Sequence, residues 1–226
     1  MVWGFKQDMN IDWTMTGEAV ERESFRRIEA EIGGHGFEPG PWRVVRRMIH
    51  ASADFSIAQD VHFAGDPIRA GIEALGKGAV IFCDSNMIRS GISLAKLKAF
   101  NSAYSAESLL CHVADADVAA EAKRRKIARS LVALEKARPR LDGAIVLVGN
   151  APLALAGVAR LIATEGLHPA LVIGMPVGFV HVEESKQMLM DLNIPQIVLK
   201  GRRGGSPLAV AALHGIMECK SLGNPS

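Results

Sequence analysis

The sequence predicts a three-layer α/β sandwich in which a five-stranded parallel sheet lies between two layers of helices. Five short apolar runs have the length of buried strands, and segments of helical periodicity separate them. Hydrophobic residues make up 49% of the 226 residues, which is enough for a core on both faces of a sheet. No repeat, low-complexity segment or linker divides the chain, so we expect a single domain over residues 1–226.

The first 75 residues are predicted to be mainly helical and to pack against the sheet. Apolar residues recur at helical spacing over residues 18–32. A second helix begins at Pro41, because proline suits a first helical turn, and runs to about Ala51. Asp66 and Pro67 pair a cap with a first-turn proline, which predicts a third helix that ends at Leu75.

Strands and helices then alternate to the end of the chain. The predicted strands are 79–83, 108–113, 144–148, 170–173 and 196–200. The predicted helices are short ones up to residue 100, a long one over 117–137, and then 152–164, 183–192 and 207–218. This alternation is typical of parallel strands joined by helical crossovers.

Loops rich in glycine and proline follow three of the strands, at 149–152, 174–179 and 201–207. The carboxyl ends of parallel strands meet at one edge of a sheet, where ligands bind, so these loops predict one site. Gly204, Gly205 and Ser206 precede a helix start, where backbone N–H groups favour an anion. Asn150 is the predicted cap of the helix over 152–164. Ordinary tight connections are the alternative for each single loop.

The net charge is only +2, but the basic residues form clusters at 43–47, 123–129 and 200–203. Solvated helix faces are the alternative explanation for the first two clusters, whereas the last lies in a strand-end loop. Aromatic residues make up 5% of the chain and do not interleave with the basic runs. The pattern therefore argues against nucleic acid and favours a small polyanion.

Several classes of protein are excluded by what the sequence lacks. The three cysteines (Cys83, Cys111 and Cys219) lie far apart, so we expect a reducing, cytoplasmic setting with neither disulfides nor a zinc site. No apolar run reaches ~18 residues, so no membrane span is expected, and the first residues do not resemble a signal peptide. There is no Walker loop, dinucleotide fingerprint, nucleophile elbow or histidine pair with metal-ligand spacing.

His50 is the candidate catalytic residue among the seven histidines. It lies at a predicted helix end, and Ser52 and Asp54 follow it closely enough to orient its ring. A structural helix cap is the alternative role. His62, His112 and His214 are expected to lie on the faces of helices and strands.

Several short motifs together resemble the precorrin-8X methylmutase family of cobalamin biosynthesis. They are Gly149-Asn-Ala-Pro152, Gly174-Met-Pro-Val-Gly-Phe-Val180, Glu184-Ser-Lys186, Gly201-Arg-Arg-Gly-Gly-Ser206 and Arg47-Met-Ile-His50. Each motif alone is weak, but the combination is specific and extends from about Gly17 to Leu213.

This resemblance implies a flavodoxin-like fold, a homodimer with sites near the subunit interface, and an isomerase that uses no external cofactor. The implied reaction moves a methyl group from C-11 to C-12 of the corrin macrocycle, which yields hydrogenobyrinate or its cobalt counterpart, cobyrinate. The active histidine of the family corresponds to His50, and its substrate contacts correspond to Ser24, Arg47 and Arg129. Further candidate contacts for the substrate carboxylates are Asn150, Gly178, Arg202, Gly204, Gly205 and Ser206.

The sequence also departs from the pattern of that family. Glu21 and Glu23 stand where relatives usually have tyrosine and arginine, and added carboxylates repel a polyanion, although Arg22 offsets part of this charge. Leu153 replaces a usual threonine, and His181 a usual glycine. Two alternative functions stay open: a non-catalytic tetrapyrrole-binding or carrier protein of the same fold, and an α/β enzyme acting on a phosphorylated metabolite.

Overall fold

The computed structural model describes residues 11–222, which form helices on both faces of a six-stranded sheet. The α-helices in this range are α1 (Gly17–Ile32), α2 (Pro39–Ser52), α3 (Ile57–Asp60), α4 (Pro67–Gly76), α5 (Asn86–Gly91), α6 (Leu94–Phe100), α7 (Ala116–Arg125), α8 (Arg129–Ala137), α9 (Pro152–Glu165), α10 (Val182–Met190) and α11 (Ser206–Glu218). The strands are β1 (Val61–Ala64), β2 (Ile81–Cys83), β3 (Leu109–Leu110), β4 (Ile145–Val148), β5 (Leu171–Gly174) and β6 (Gln196–Leu199). Over the same residues, no helix combines the length and the apolar character that crossing a membrane requires.

The sheet has the strand order β1-β6-β5-β4-β2-β3. Strands β2 to β6 are all parallel, which confirms the predicted sandwich and its five parallel strands. Counted among themselves in chain order, these five are arranged 2-1-3-4-5, which is the order of flavodoxin. The order reverses between β2 and β4, and ligands of such sheets bind above the carboxyl ends at this switch point.

Strand β1 is an addition to the predicted sheet. It pairs antiparallel with β6 at one edge, with Val61 opposite Leu199 and Phe63 opposite Ile197. Its four residues follow α3 directly, so the run is too short to show an alternating pattern, and its partner lies at the far end of the chain. At the other edge, the strand predicted over 108–113 is only two residues long, with Leu109 opposite Ile81 and Leu110 opposite Phe82 of β2.

Side chains of the strands alternate between two cores. Ile81 and Cys83 point toward the layer that contains α2, α4, α5, α6 and α11, whereas Phe82 points toward α8, α9 and α10. In the first layer, α2 lies unusually close to α11, because a Cβ atom on Gly215 would come within 2.6 Å of the Val44 Cα. This contact joins the first half of α2 to the last part of α11, whereas His50 near the end of α2 shares a cavity with Pro207 at the start of α11.

The helix predicted over 117–137 is in fact two helices, α7 and α8. Lys126 has a left-handed backbone with φ of 54° and ends α7. The break turns Ile127 onto a small satellite core with Val118 and Val132, which a straight helix would not allow. Burial of this side chain outweighs the helical propensity of the surrounding residues.

Candidate active site at the carboxyl edge of the sheet

The three glycine- and proline-rich loops meet at the carboxyl edge of the sheet. The Gly205 N–H donates a hydrogen bond of 2.7 Å to the Met175 carbonyl, and the Gly178 N–H donates one of 3.2 Å to the Arg202 carbonyl. A Cβ atom on Gly149 would lie 2.8 Å from the Ser206 Cα, so only glycine permits this approach. Ser206 itself is buried, and its hydroxyl lies 2.8 Å from that of Ser85.

A buried carboxylate occupies the backbone donors of the loop after β4. Asp84 accepts hydrogen bonds from the N–H groups of Gly149, Asn150 and Ala151 at 3.0, 2.9 and 2.6 Å. Burial raises the pKa of Asp84, and these hydrogen bonds oppose that rise. The predicted cap is wrong, since Ala151 is the N-cap residue of α9 and the Asn150 side chain is exposed. The Asp84 side chain thus takes up these three backbone donors, which are not left for a ligand.

Internal contacts also hold the loop after β6. Arg203 pairs with Asp54 and Asp60, which ties the segment after α2 to this edge of the sheet. The Nζ of Lys186 donates to the carbonyls of Gly201 and Arg203 at 2.7 and 2.6 Å, and burial lowers the pKa of Lys186 to about 8. Arg202 stays exposed and pairs with Glu183 at 3.1 Å.

His50 lies on the wall of a largely apolar cavity of about 330 Å³. The other lining residues include Arg47, Met87, Pro207, Val210 and His214. The His50 ring packs edge-on against Phe25, with 5.3 Å between centroids, and makes no hydrogen bond within residues 11–222. A second cavity, of about 220 Å³, lies between α1 and α2 and is lined by both His50 and Ser24. The His50 side chain is exposed and can be reached from both cavities.

Ser52 and Asp54 do not orient His50 as predicted. The Ser52 hydroxyl donates to the Met48 carbonyl at 2.9 Å. The Asp54 carboxylate accepts from Ser56 and Arg203. His50 is not the helix cap either, because Ala53 ends α2 with its N–H on the Ile49 carbonyl.

Two carboxylates neutralise Arg47, which is the cation beside His50. Arg47 pairs with Glu21 of α1 and with Glu218 at the end of α11, and its side chain is only 12% exposed. Burial opposes ionisation of Glu21, but the hydrogen bond and charge of Arg47 outweigh it and lower the pKa of Glu21. Burial raises the pKa of Glu218, against the attraction of Arg47. Glu21, which departs from the family pattern, therefore pairs directly with Arg47, a residue predicted to contact the substrate.

His214 lines the same cavity as His50, although the sequence interpretation gives it no role. His214 recurs at helical spacing with Pro207, Val210 and Ala211, so the four residues share one face of α11. This spacing is the sequence signal that could have placed His214 in the cavity wall. The His214 Nε2 accepts a hydrogen bond of 3.2 Å from the Ser93 N–H, so the ring proton is on Nδ1. Burial, aided by the charges of Lys96 and Arg47, lowers the pKa of His214 to about 4, so this histidine is neutral at pH 7.

This neutral histidine predicts a pH-dependent difference in stability. Between its ordinary pKa and about 4, the unfolded chain binds a proton at His214 that the folded chain does not. The free energy of unfolding should therefore fall by about 2–3 kcal/mol from this group as the pH drops from about 7 to about 4.5. The His214→Gln variant keeps an acceptor for the Ser93 N–H but has no ionisable group at this position. Its free energy of unfolding should therefore lack this fall. Urea unfolding of both proteins at the two pH values checks this, and equal pH-dependent losses would contradict it.

Arg129 is not brought to His50 within one chain. It is exposed at the first turn of α8, in the layer on the opposite face of the sheet, and lines neither cavity beside His50. Within residues 11–222 its side chain makes no hydrogen bond or ion pair. Gly204 and Gly205 lie deep in the loop cluster, where Gly205 has φ of 121°.

Fold and site together define a flavodoxin-like α/β protein with a histidine-containing groove at the carboxyl edge of its sheet. Among the described residues, no three His, Cys, Asp or Glu side chains are grouped to hold a metal ion. The sequence profile of the precorrin-8X methylmutase family matches residues 19–219. The chain belongs to this family.

Individual relatives agree with this assignment. The cobalt-precorrin-8 methylmutase of Leptospira interrogans is 40% identical over 216 residues, which cover 92% of this chain and 96% of the relative. The precorrin-8X methylmutase of Pseudomonas aeruginosa is 37% identical over 208 residues, or 91% and 97% of the two chains. The crystal structure of precorrin-8X methylmutase from Thermus thermophilus superposes with a TM-score of 0.84 at 43% identity, over 93% of this chain and 99% of that one.

Proposed function

We propose that this chain is a precorrin-8X methylmutase, an isomerase that moves a methyl group from C-11 to C-12 of the corrin macrocycle in cobalamin biosynthesis. The family match over residues 19–219 carries the activity. The proposal includes substrates with or without cobalt, because relatives of both names match. No comparison favours the carrier or the phosphate-directed enzyme that the sequence left open.

The chemistry needs a proton and an oriented ring. The bond from the methyl group to C-11 breaks and a bond to C-12 forms within one molecule, so no external group is consumed. Protonation of the conjugated ring favours the migration, and the proton returns afterwards, so the product is an isomer. Histidine changes its charge near neutral pH and suits both transfers. We assign this role to His50, which is exposed, lies beside an apolar cavity, and has no hydrogen-bonded partner among residues 11–222.

The proposed substrate contacts differ in how well the structure supports them. Ser24 and Arg47 line cavities that His50 also lines. Arg202 is an exposed cation at the loop cluster, and Asn150 is exposed there as well. Backbone groups near Gly178 and at the start of α11 complete the proposed carboxylate contacts, with Gly204, Gly205 and Ser206 shaping the loop.

We also propose a homodimer built from single-domain chains in the cytoplasm. Arg129 lies across the sheet from His50, so a site near a subunit interface would let this cation reach a bound corrinoid. Three free cysteines, two of them buried, support a reducing compartment. Light scattering at micromolar concentration should give the mass of two chains, and a mass near that of one chain would contradict the dimer.

The direct test of the activity is incubation with precorrin-8X followed by optical spectra. Isomerisation changes the conjugation of the macrocycle and therefore its colour. A protein that only binds the compound leaves the isomer recoverable unchanged, which would favour a carrier.

Because Arg47 pairs with Glu21, removal of the Glu21 charge is expected to affect substrate binding. A substrate carboxylate must compete with Glu21 for this arginine and is also repelled by its charge. We therefore expect Glu21→Gln to tighten the binding of hydrogenobyrinate by about two- to fivefold, the range of a partly exposed ion pair. Glu23→Gln is the matched control, since Glu23 lies on the same helix but pairs with Arg26 and Arg27. Equal dissociation constants for the two variants would show that Glu21 does not compete with the substrate.

A further inference from the structure

A further cavity along α11 shares a lining residue with the cavity beside His50. This further cavity, which differs from the one between α1 and α2, has a volume of about 220 Å³ and lies between α6 and α11. It is lined by Lys96, Phe100, His214, Met217, Glu218 and Lys220, among others. His214 lines both cavities, and we call the two together the α11 groove. Pockets for drug-sized ligands measure about 300–1,000 Å³. A corrin macrocycle with its carboxylate arms is larger than such a ligand, so the cavity beside His50 alone does not hold it.

The cations along this groove are not equally available. Arg47 is engaged by Glu21 and Glu218, and Arg46 pairs with Glu29 at 2.8 Å. Lys220 donates to the carbonyls of Ala99 and Phe100 at 3.2 and 3.1 Å. Lys96 makes no ion pair or side-chain hydrogen bond within residues 11–222, and its side chain is exposed.

The backbone of Lys96 is nevertheless held in place at the groove. Its backbone N–H donates to the Ser93 hydroxyl at 3.3 Å, and the Ser93 N–H donates to His214. The first turn of α6 is thereby anchored on the residue that joins the two cavities. The charge of Lys96 acts on His214, Glu21 and Glu218 without reaching ion-pair distance.

We infer that the α11 groove extends the corrinoid site beyond His214, and that Lys96 binds a carboxylate arm of the macrocycle there. The apolar side chains of Phe100 and Met217 cover the ring edge, while the ammonium group takes the arm at the rim. Glu218 also lines this part of the groove, where it pairs with Arg47. This inference rests on the proposed function, because it takes its ligand from that reaction.

The test compares two lysines of the same helix. Lys96→Met should raise the dissociation constant of hydrogenobyrinate about two- to fivefold and should flatten its dependence on salt concentration. Lys98→Met removes the same charge two residues further on, at a position that lines neither part of the groove, and should leave binding unchanged. Lys96→Arg keeps the charge and should restore most of the affinity. Absorbance titration of each purified full-length protein provides the measurement.

The outcomes separate this inference from the function on which it rests. If the wild type binds hydrogenobyrinate and Lys96→Met binds it as Lys98→Met does, the groove beyond His214 is not part of the site, although the methylmutase stands. If Lys96→Arg binds as weakly as Lys96→Met, the carboxylate contact is overturned. If the wild type neither binds hydrogenobyrinate nor isomerises precorrin-8X, both proposals fail.

Discussion

Replacing His50 with alanine is expected to lower the turnover of precorrin-8X by about 10²–10⁴-fold, the usual contribution of general acid–base catalysis. The reason is that His50 acts on the transition state, in which the ring carries the transferred proton. Corrinoid binding should stay nearly intact, because the His50 ring makes no hydrogen bond or ion pair among residues 11–222 and contributes little to holding the α11 groove in shape. Absorbance assays of turnover and titrations with hydrogenobyrinate measure the two effects separately.

The control for this experiment is the same substitution at His62, on the edge strand β1 and away from the groove. His62→Ala should retain full turnover. The rate of the wild type should also depend on pH in a way that the His50→Ala variant lacks. A His50→Ala variant that keeps more than about a tenth of the wild-type rate would reduce His50 to a structural residue at the end of α2.

A wild type that binds the corrinoid without isomerising it would have a different meaning. It would favour the carrier alternative, in which the fold and loops are kept but the chemistry is lost. The first positions to revert would then be Glu21, Glu23 and His181, which depart from the family pattern. Recovery of turnover in such a revertant would locate the cause.

Replacing Asp84 with asparagine is expected to lower the free energy of unfolding by about 2–4 kcal/mol. Asp84 is 2% exposed, and both of its carboxylate oxygens accept backbone N–H groups of the loop after β4. An amide places an NH₂ group against at least one of these donors, which leaves buried N–H groups without an acceptor. The same loop packs on Ser206, so local disorder should reach the start of α11.

Asp117→Asn is the matched control for this substitution. Asp117 is largely exposed and pairs with Lys136, so its loss should leave the free energy of unfolding nearly unchanged. Urea unfolding of both variants at neutral pH gives the comparison. Equal stability of the two variants would mean that water replaces the carboxylate at the loop, and that Asp84 does not hold it.

The local features of the fold were predictable because they depend on neighbouring residues. Apolar runs and helical periodicity predicted the five parallel strands and most helices. Glycine and proline marked the loops that meet at one edge. The break at Lys126 and the strand β1 were not predictable, since each depends on packing against distant parts of the chain.

The sequence by itself determined the α/β class, the edge at which the loops gather, and His50 as the candidate acid. Only the tertiary structure decided which charges remain available to a ligand. Arg47 meets Glu21 and Glu218 across separations of 26 and 171 residues, and Asp84 reaches the Gly149 N–H across 65. Such pairing has no local pattern, because it follows from the packing of α1, α2 and α11 and from the strand order. The same packing leaves Lys96 beside His214 without an ion pair or a side-chain hydrogen bond among residues 11–222, on a groove that no short stretch of sequence describes.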